Sequence, residues 1–331
     1  MENGQEFDKL KVMVWLHIFV FVVSCIILAL SGKWMVGALS RIAKFLGWRE
    51  FVAAFIIIAF GTSIPNLFVG IISALNKIPE LSFGDVIGGN VIDLTLVIAL
   101  AIFVAGSIST DSKTVRSTSL FTLGIAVLPL VLILDKTLSR IDGIILILAF
   151  FLYIWWLFSK EERFTKIYDG TAERESVRGL KHFLKDLGVL LVGMALLLIS
   201  AEVIVKSASY FSQSLGSSIA VIGLLIVAMG NCLPEMYFSI ASAKAGQTWM
   251  ILGNLMGSVI IPATLVLGIV ALIQPIQITN FSPFVAARFF LVASALFFWV
   301  FLRTDRKITR REAMFLLVLY LAYVAVEIIL K

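Results

Sequence analysis

Two acidic residues, Asp93 and Glu235, lie inside long apolar stretches of the sequence, where an unpaired carboxylate is energetically costly and indicates a functional site. Residues with side-chain oxygen atoms accompany them in the same stretches: Thr62, Ser63, Asn66, Asn90, Asn231, Ser258 and Thr264. Hard cations such as Na⁺ and Ca²⁺ bind carboxylate, amide, hydroxyl and carbonyl oxygens. No cluster of His or Cys, which soft transition metals prefer, accompanies these residues in sequence. The residue types therefore predict a site for a hard inorganic cation.

Asp93 lies in the first copy, and Glu235 in the second copy, of a sequence pattern that occurs twice in the chain. One constant shift in residue number relates the two copies without a gap, through the pairs Gly61 and Gly230, Pro65 and Pro234, Gly88 and Gly257, and Ile92 and Ile261. Because proline removes a backbone hydrogen bond within a helix, we expect Pro65 and Pro234 to break the helices that contain them. Interrupted helices at matching positions of two halves of a membrane protein indicate a transport site near the middle of the bilayer.

The composition is typical of an integral membrane protein and excludes an ordinary soluble domain. Hydrophobic residues make up 60% of the chain and charged residues 15%, and the mean hydropathy is strongly positive. A helix needs about 20 mainly apolar residues to cross a bilayer. Ten segments meet this condition: 12–31, 50–75, 85–106, 118–135, 142–159, 187–210, 218–243, 249–273, 283–302 and 312–330. The predicted fold is an all-α polytopic membrane protein, in which the first segment is a retained span because it is longer than a signal-peptide core.

The long polar segment 160–186 divides the chain into two halves of five spans each, 1–159 and 187–331. Lys and Arg are concentrated in the odd-numbered connections, which the positive-inside rule places in the cytoplasm together with segment 160–186. Both termini then lie outside a plasma (inner) membrane. Because each half has an odd number of spans, the second half enters the membrane upside down. The sequence thus predicts two inverted five-helix repeats, with helices 2 and 7 broken, and alternating access between them.

Other acidic residues have structural explanations. Glu202 lies four residues before Lys206, a spacing at which the two side chains pair on a helix. Glu327 lies close to the last residue, so we expect its carboxylate to reach the lipid headgroups. Three aspartates fall at predicted helix ends, where capping or solvation suffices: Asp85, Asp135 and Asp142. The net charge of +6 is spread over short loops, so it does not predict binding of nucleic acid.

The repeated pattern resembles the motifs of a known family. A segment G-T-S-x-P-E followed by G-(N/D)-x-I-G-S-N-x-x-(N/D), present twice in inverted halves, is similar to that of the sodium/calcium exchanger family of cation antiporters, in particular its short prokaryotic members. The resemblance covers nearly the whole chain. It implies that the acid of the first segment and the last polar residue of the second coordinate the ions, helped by hydroxyl and carbonyl oxygens. It also implies that the first and sixth spans form the moving gate.

Carried over residue by residue, the resemblance places two carboxylates, one amide and one proline where the family usually has three carboxylates and one amide. These four positions hold Asn66, Asp93, Glu235 and Pro262. The implied ligands are Glu235, Asp93, Asn66, Ser63, Thr62, Ser258 and Asn231, with Cys232 at the remaining hydroxyl position. The residues implied to shape the helix breaks and the gate are Pro65, Pro234, Gly61, Gly230, Gly88, Gly89, Gly257 and Pro262.

The motifs and the resemblance together favour a secondary active antiporter that exports Ca²⁺ in exchange for Na⁺, without a cofactor. Its predicted partners are the lipid bilayer and small inorganic cations. Two alternatives stay open. Buried carboxylates that lie close together share protons, which favours an H⁺-coupled antiporter. The loss of one acid from each copy, at Asn66 and Pro262, favours a non-transporting relative that acts as a sensor or a subunit. An enzyme is not predicted, because the motifs contain no pairing of nucleophile and base, and His17 and His182 lie far from them.

Overall fold

The structure, a computed structural model, describes residues 2–45, 50–110, 113–158, 180–244, 246, 248–278, 282–304 and 307–329. These residues form fourteen helices: α1 (Glu2–Phe45), α2 (Glu50–Leu75), α3 (Pro79–Ile92), α4 (Ile98–Ala105), α5 (Lys113–Leu132), α6 (Arg140–Phe158), α7 (Leu180–Leu215), α8 (Ile219–Ile222), α9 (Ala228–Asn231), α10 (Leu233–Lys244), α11 (Thr248–Ile261), α12 (Leu267–Ile273), α13 (Ser282–Arg303) and α14 (Arg310–Ile329). Three π-helical segments join α3 to α4, α8 to α9 and α11 to α12: Asp93–Val97, Gly223–Val227 and Pro262–Val266. A 3₁₀ turn, Ile133–Asp135, follows α5.

Eight helical segments of the described chain are long and apolar enough to cross a membrane. They are Val14–Trp34, Pro79–Ala105, Thr118–Asp135, Leu184–Leu215, Ile219–Lys244, Ile251–Ile273, Phe284–Arg303 and Arg310–Ile329. We call Pro79–Ala105 the third span, Ile219–Lys244 the seventh and Ile251–Ile273 the eighth, in the order predicted from the sequence. The other two predicted spans correspond to α2 and α6, whose side chains are described only from Gly61 onwards and only as far as Trp156. The protein is thus all-helical with many apolar helices, as predicted.

Four short strands tie the helix ends together in two antiparallel pairs. β1 (Ser107–Ser109) follows α4 and pairs with β4 (Lys307–Thr309), which precedes α14. β2 (Thr137–Leu138) precedes α6 and pairs with β3 (Ile276–Gln277), which follows α12. Each pair therefore joins the end of a helix in one half of the chain to the start of a helix in the other half.

The helices α6 and α14 begin with the same kind of cap. Ser139 donates its backbone N–H to Asp142 Oδ2 at 2.8 Å and its hydroxyl to the same atom at 2.7 Å. Thr309 donates its N–H and its hydroxyl to Glu312 Oε2 at 2.7 and 2.8 Å. A hydroxyl residue followed three positions later by an acid is the capping box, which satisfies backbone donors that a helix start leaves unpaired. Asp142 is thus a capping residue, as expected from the sequence.

The prediction of a break at Pro65 is wrong, because α2 (Glu50–Leu75) continues through this residue as one helix. Proline removes the hydrogen bond to the Gly61 carbonyl but leaves the rest of the ladder in place. α1 packs closely at this point, since a Cβ atom at Gly32 would lie 3.7 Å from Pro65 Cγ and 3.8 Å from the Gly61 oxygen.

The seventh span has a one-residue turn at Cys232, two residues before Pro234, and the helical hydrogen bonds from Cys232 N–H to the Ala228 oxygen and from Met236 N–H to the Cys232 oxygen continue across it. We call this turn the break in the seventh span. α9 ends at Asn231, Cys232 adopts φ −80° and ψ 0°, and α10 begins at Leu233. Pro234 is then the second residue of α10, where a missing N–H costs no helical hydrogen bond. The break therefore lies before the proline rather than at it.

Two other expectations differ from the structure. Glu327 does not extend towards lipid headgroups but is only 3% exposed and lies against α13, close to the backbone of Ala287. Residues 180–186, predicted as the end of the polar connection, already belong to α7. The rest of that connection, 159–179, lies outside the described residues. Glu202 pairs with Lys206 Nζ at 3.0 Å, as predicted.

Candidate cation site

The helix α3 is buried along almost its whole length because glycines let it approach the seventh span closely. A Cβ atom at Gly84 would lie 2.3 Å from the Ala220 carbonyl oxygen, and one at Gly88 would lie 2.1 Å from the Leu224 carbonyl oxygen. Both distances are shorter than any van der Waals contact, so a larger residue cannot occupy either position without moving the backbone. These glycines bring the polar residues of α3 within reach of those on the seventh span.

Asp85 is the first acid that this packing buries. It is 0% exposed, and its Oδ2 accepts a hydrogen bond of 2.9 Å from Asn231 Nδ2 at the end of α9. The prediction of a capped or solvated Asp85 is wrong, because α3 begins at Pro79 and Asp85 lies in its second turn. The bond joins the third span to the break in the seventh.

Asp93 is the second buried acid, 2% exposed, and it begins the π-helical segment Asp93–Val97. Its Oδ2 accepts a hydrogen bond of 2.6 Å from the Ser258 hydroxyl on α11. Ser258 is itself 2% exposed. This contact joins the third span to the eighth, so the two predicted ligands Asp93 and Ser258 lie together.

Glu235 is the third buried acid, 3% exposed, in the first turn of α10. It interacts electrostatically with Asp93 and Asp85, and the Cys232 thiol interacts with all three carboxyl groups. The thiol also lies 3.7 Å from the Gly89 carbonyl oxygen, to which it donates a weak hydrogen bond. Cys232, at the break in the seventh span, therefore lies near enough to all three acids to interact with their charges.

The helix α2 supplies two more of the predicted ligands. Asn66 and Ser63 are 5% and 2% exposed. Asn66 lies one turn before Gly70, where a Cβ atom would be 3.0 Å from Ser82 Oγ and from Val266 Cγ1. This face of α2 therefore packs against the third and eighth spans. The side chain of Thr62, also a predicted ligand, lies outside the described residues.

Five buried side-chain oxygens of these residues have no hydrogen-bond donor among the described residues. They are Asn66 Oδ1, Asp85 Oδ1, Asp93 Oδ1, Asn231 Oδ1 and Glu235 Oε2. A buried acceptor without a partner destabilises a protein by about 1–3 kcal/mol, and more if it is charged. A bound cation would satisfy such oxygens. We call the six residues Asn66, Asp85, Asp93, Asn231, Glu235 and Ser258 the cation site.

The chemistry of the cation site fits a hard cation that uses mixed oxygen ligands. In the part of the chain that the structure describes, no three His, Cys, Asp or Glu side chains come close enough to hold a metal ion by themselves. Amide, hydroxyl and carbonyl oxygens would therefore complete the shell, as they do for Na⁺ and Ca²⁺. The prolines add carbonyls, because Pro234 cannot donate to the Gly230 oxygen, nor Pro262 to the Ser258 oxygen.

The remaining residues implied to shape the breaks and the gate are buried in the same region but do not offer side-chain ligands. Gly230 faces α1, since a Cβ atom there would lie 2.6 Å from Cys25 Sγ, whereas Gly89 faces Cys232. Pro262 begins the π-helical segment Pro262–Val266. Gly61 and Gly257 are buried within α2 and α11.

Sequence reasoning missed Asp85 and Asn254. Asn254 is 1% exposed, and neither polar atom of its side chain has a hydrogen-bond partner among the described residues. The constant shift relates Asp85 to Asn254, so a polar residue stands at the same place in both copies. This match between the two copies could have identified both residues from the sequence. It favours a similar role for Asp85 and Asn254 over their being two unrelated residues at helix ends.

Comparison with known proteins gives a consistent result. The model of the family "Sodium/calcium exchanger protein" matches residues 16–159 and again 185–329. The sodium/calcium exchanger MaX1 of Methanosarcina acetivorans is 26% identical over 95% of this chain and 99% of its own length. The uncharacterized membrane protein MJ0091 of Methanocaldococcus jannaschii is 28% identical, over 95% of this chain and 98% of its own.

A solved structure shares the fold. The sodium-calcium exchanger NCX_Mj, soaked with 10 mM Na⁺ and 10 mM Sr²⁺, superposes with a TM-score of 0.64 at 28% identity, over 94% of this chain and 98% of that one. The motifs, the buried acids and the fold thus agree with a membrane transporter for small inorganic cations rather than an enzyme. The chain belongs to the sodium/calcium exchanger family of cation antiporters.

Proposed function

We propose that the protein exports Ca²⁺ in exchange for Na⁺ and that the ions bind at the cation site. The observation that carries the proposal is the set of five buried oxygens without donors, contributed by α2, the third span and the seventh span. Buried carboxylates within membrane-spanning segments are retained where they bind an ion or a proton. MaX1 is named a sodium/calcium exchanger, and NCX_Mj was soaked with Na⁺ and with Ca²⁺ or Sr²⁺.

Asp85 changes the charge that the cation site can supply. Asn66 and Pro262 stand where the family usually has acids, which leaves two carboxylates from the motifs. Asp85 is a third buried carboxylate, but it lies eight residues before Asp93 on the third span, about 12 Å along the helix axis, so the two cannot bind the same ion. We assign Glu235 and Asp93 as the charged ligands, and Asp85 as the acid that positions Asn231 and adds negative charge near the site. Asn66, Asn231, Ser63, Thr62 and Ser258 contribute neutral oxygens.

Alternating access requires two halves that can rock against each other around the site. Three features support inverted repeats. The family model matches the chain twice, the π-helical segments Asp93–Val97 and Pro262–Val266 are related by the constant shift, and the two strand pairs link corresponding helix ends. The helices α1 and α7, which carry no motif, would move as the gate. We place the protein in the plasma membrane. By the positive-inside rule, both termini would then lie outside the cell, and the connection 160–186 would lie in the cytoplasm.

A second coupling ion is favoured by a specific observation. The buried Glu235 interacts electrostatically with Asp93 and with Asp85, and buried like charges compete for protons. An H⁺-coupled antiporter would use the same site, with one of these carboxyls carrying the proton. The same experiment separates the two couplings.

The test is Ca²⁺ flux in proteoliposomes under an imposed Na⁺ gradient and, separately, an imposed pH gradient. The wild type, Glu235→Gln and the control Glu202→Gln are compared, because Glu202 pairs with Lys206 and is not a residue of the cation site. We expect Na⁺-driven flux that Glu235→Gln abolishes and Glu202→Gln preserves. Flux driven only by the pH gradient would establish H⁺ coupling. Folded protein without flux and without Ca²⁺ binding would contradict both and leave the non-transporting relative.

A further inference from the structure

A cavity of about 700 Å³ lies between α1 and α7, and no residue of the cation site lines it. Its lining consists of four residues from each helix: Lys33, Trp34, Gly37 and Arg41 on α1, and Lys185, Gly188, Val189 and Val192 on α7. The function proposed above does not use this cavity.

The cavity is concave because the two helix faces that line it, one on α1 and one on α7, each contain a glycine. Lys33, Gly37 and Arg41 are four residues apart and share one face of α1, while Lys185 and Gly188 share one face of α7. A Cβ atom at Gly188 would meet no heavy atom within 4 Å, so this glycine opens space rather than allowing close packing. A side chain at Gly188 would fill the cavity without clashing with a neighbour.

The cavity carries an excess of positive charge. Arg41 Nε donates to Asp186 Oδ1 at 2.7 Å, a contact that fixes the position of the guanidinium group. No carboxylate of the described residues pairs with Lys33 or Lys185. Lys33 Nζ instead lies 5.2 Å from the centre of the Tyr237 ring. Three cations and one acid therefore leave the wall of the cavity attractive to an anion.

The cavity lies where the apolar segments of α1 and α7 end, which is the level at which we expect the membrane surface. The apolar segment Val14–Trp34 ends at this level of α1, and Leu184–Leu215 begins at it on α7. Trp34 is 51% exposed there, as is common for tryptophan at the interface between lipid and water. Towards the middle of the bilayer, both helices present exposed apolar side chains, among them Leu30 at 43% and Val192 at 58%.

We propose that this cavity binds the headgroup of an anionic phospholipid, with the phosphate between Lys33, Arg41 and Lys185. Basic pockets between spanning helices hold acidic headgroups in this way. A lipid is favoured over a soluble anion because the charges lie where the apolar segments end, and because acyl chains can follow Leu30 and Val192. The bound lipid bridges α1 and α7, and its binding does not depend on the transport proposed above.

The experiment measures phosphatidylglycerol retained by the purified protein in native mass spectrometry and in phosphatidylcholine nanodiscs doped with phosphatidylglycerol. Two variants remove different features: Lys33→Gln with Lys185→Gln removes the charge, and Gly188→Leu fills the space. Lys206→Gln is the matched control, since it removes one charge from an exposed position of the same helix. We expect both cavity variants to lower the affinity for phosphatidylglycerol about tenfold or more. The lysine variant loses the attraction that each basic residue near the surface adds for an acidic lipid, and Gly188→Leu fills the space that the headgroup would occupy.

Equal retention by the wild type and both cavity variants would overturn the proposal, as would equal affinity for phosphatidylcholine. Displacement of the lipid by millimolar inorganic phosphate would show that the cavity is a site for soluble anions instead. Glu235→Gln separates this proposal from the transport proposal, because it should abolish flux and still bind phosphatidylglycerol like the wild type.

Discussion

The first copy of the repeated stretch has a continuous helix at its proline, whereas the second copy has a break one residue wide. α2 runs through Pro65, at the level where α1 packs against it with Gly32. The seventh span stops at Asn231 and restarts at Leu233. Two stretches with glycine and proline at the same places thus adopt different local structures.

The two copies also distribute their acids differently. The first copy has Asn66 on α2 but places both Asp85 and Asp93 on the third span. The second copy keeps Glu235 on the seventh span and has Asn254 and Pro262 on the eighth. Charge is therefore concentrated on one side of the cation site.

The largest effect is expected from the glycines that bring the first copy against the second. Gly88→Ala would place a Cβ atom 2.1 Å from the Leu224 carbonyl oxygen and force the third and seventh spans apart. Overpacking of this kind costs about 3 kcal/mol or more of stability. Gly253→Ala is the control from the second copy, because a Cβ atom there meets nothing within 4 Å. Thermal unfolding of the detergent-purified proteins measures both, and equal melting temperatures would contradict the packing described for α3.

The next effect concerns the acid that the family's motifs do not assign. We expect Asp85→Asn to lower Ca²⁺ affinity about 10- to 100-fold, the loss typical when a group that supports or completes a metal site is removed. Asp142→Asn, which changes an acid that only caps α6, is the matched control. Isothermal titration calorimetry with Ca²⁺ gives the affinities. Unchanged binding by Asp85→Asn would show that two carboxylates suffice and that Asp85 only anchors Asn231.

A smaller effect should follow from making the second copy more like the first. The hydroxyl position holds Ser63 in α2 and Cys232 in the seventh span. Because hard cations prefer hydroxyl oxygen to a thiol, Cys232→Ser should raise the affinity for Na⁺ and Ca²⁺ by about threefold to tenfold. Cys25→Ser, a buried thiol on α1, is the control. The same calorimetric titration tests this prediction. An unchanged affinity would place Cys232 outside the ion's reach, and a lower affinity would show that the thiol itself contributes to binding.

The smallest effect on stability is expected at the helix caps, which are of the same kind in the two halves of the chain. Ser139→Ala and Thr309→Ala each remove the hydroxyl of a capping box, at the start of α6 and of α14. Each loss should cost about 1 kcal/mol, and the two should be similar, since the caps make the same contacts. Thermal unfolding of the two single variants compares them. A difference larger than about twofold in destabilisation would show that the halves are not equivalent at their strand pairs.

Asp93 and Glu235 could be singled out from the sequence, because a carboxylate in an apolar segment is energetically costly. The structure buries both side chains near Cys232, and their role as ligands stays a prediction. Prediction from sequence failed for Asp85, because the polar residues before it resemble a loop, whereas α3 begins at Pro79 and glycine packing buries the second turn. It also failed for Glu327, since closeness to the end of the chain does not reveal that α13 covers the side chain.

The sequence by itself determined the membrane-spanning helices, the repeated motif and the oxygen-rich residues, because hydropathy, periodicity and residue chemistry are properties of short segments. Only the tertiary structure decided which helix is interrupted, and that Asp85 joins Asn231 while Asp93 joins Ser258. Only the tertiary structure brought Lys33 and Lys185 to the same cavity. The reason is that these features depend on the distance between helices far apart in sequence, and that distance is set by side-chain packing across the whole bundle.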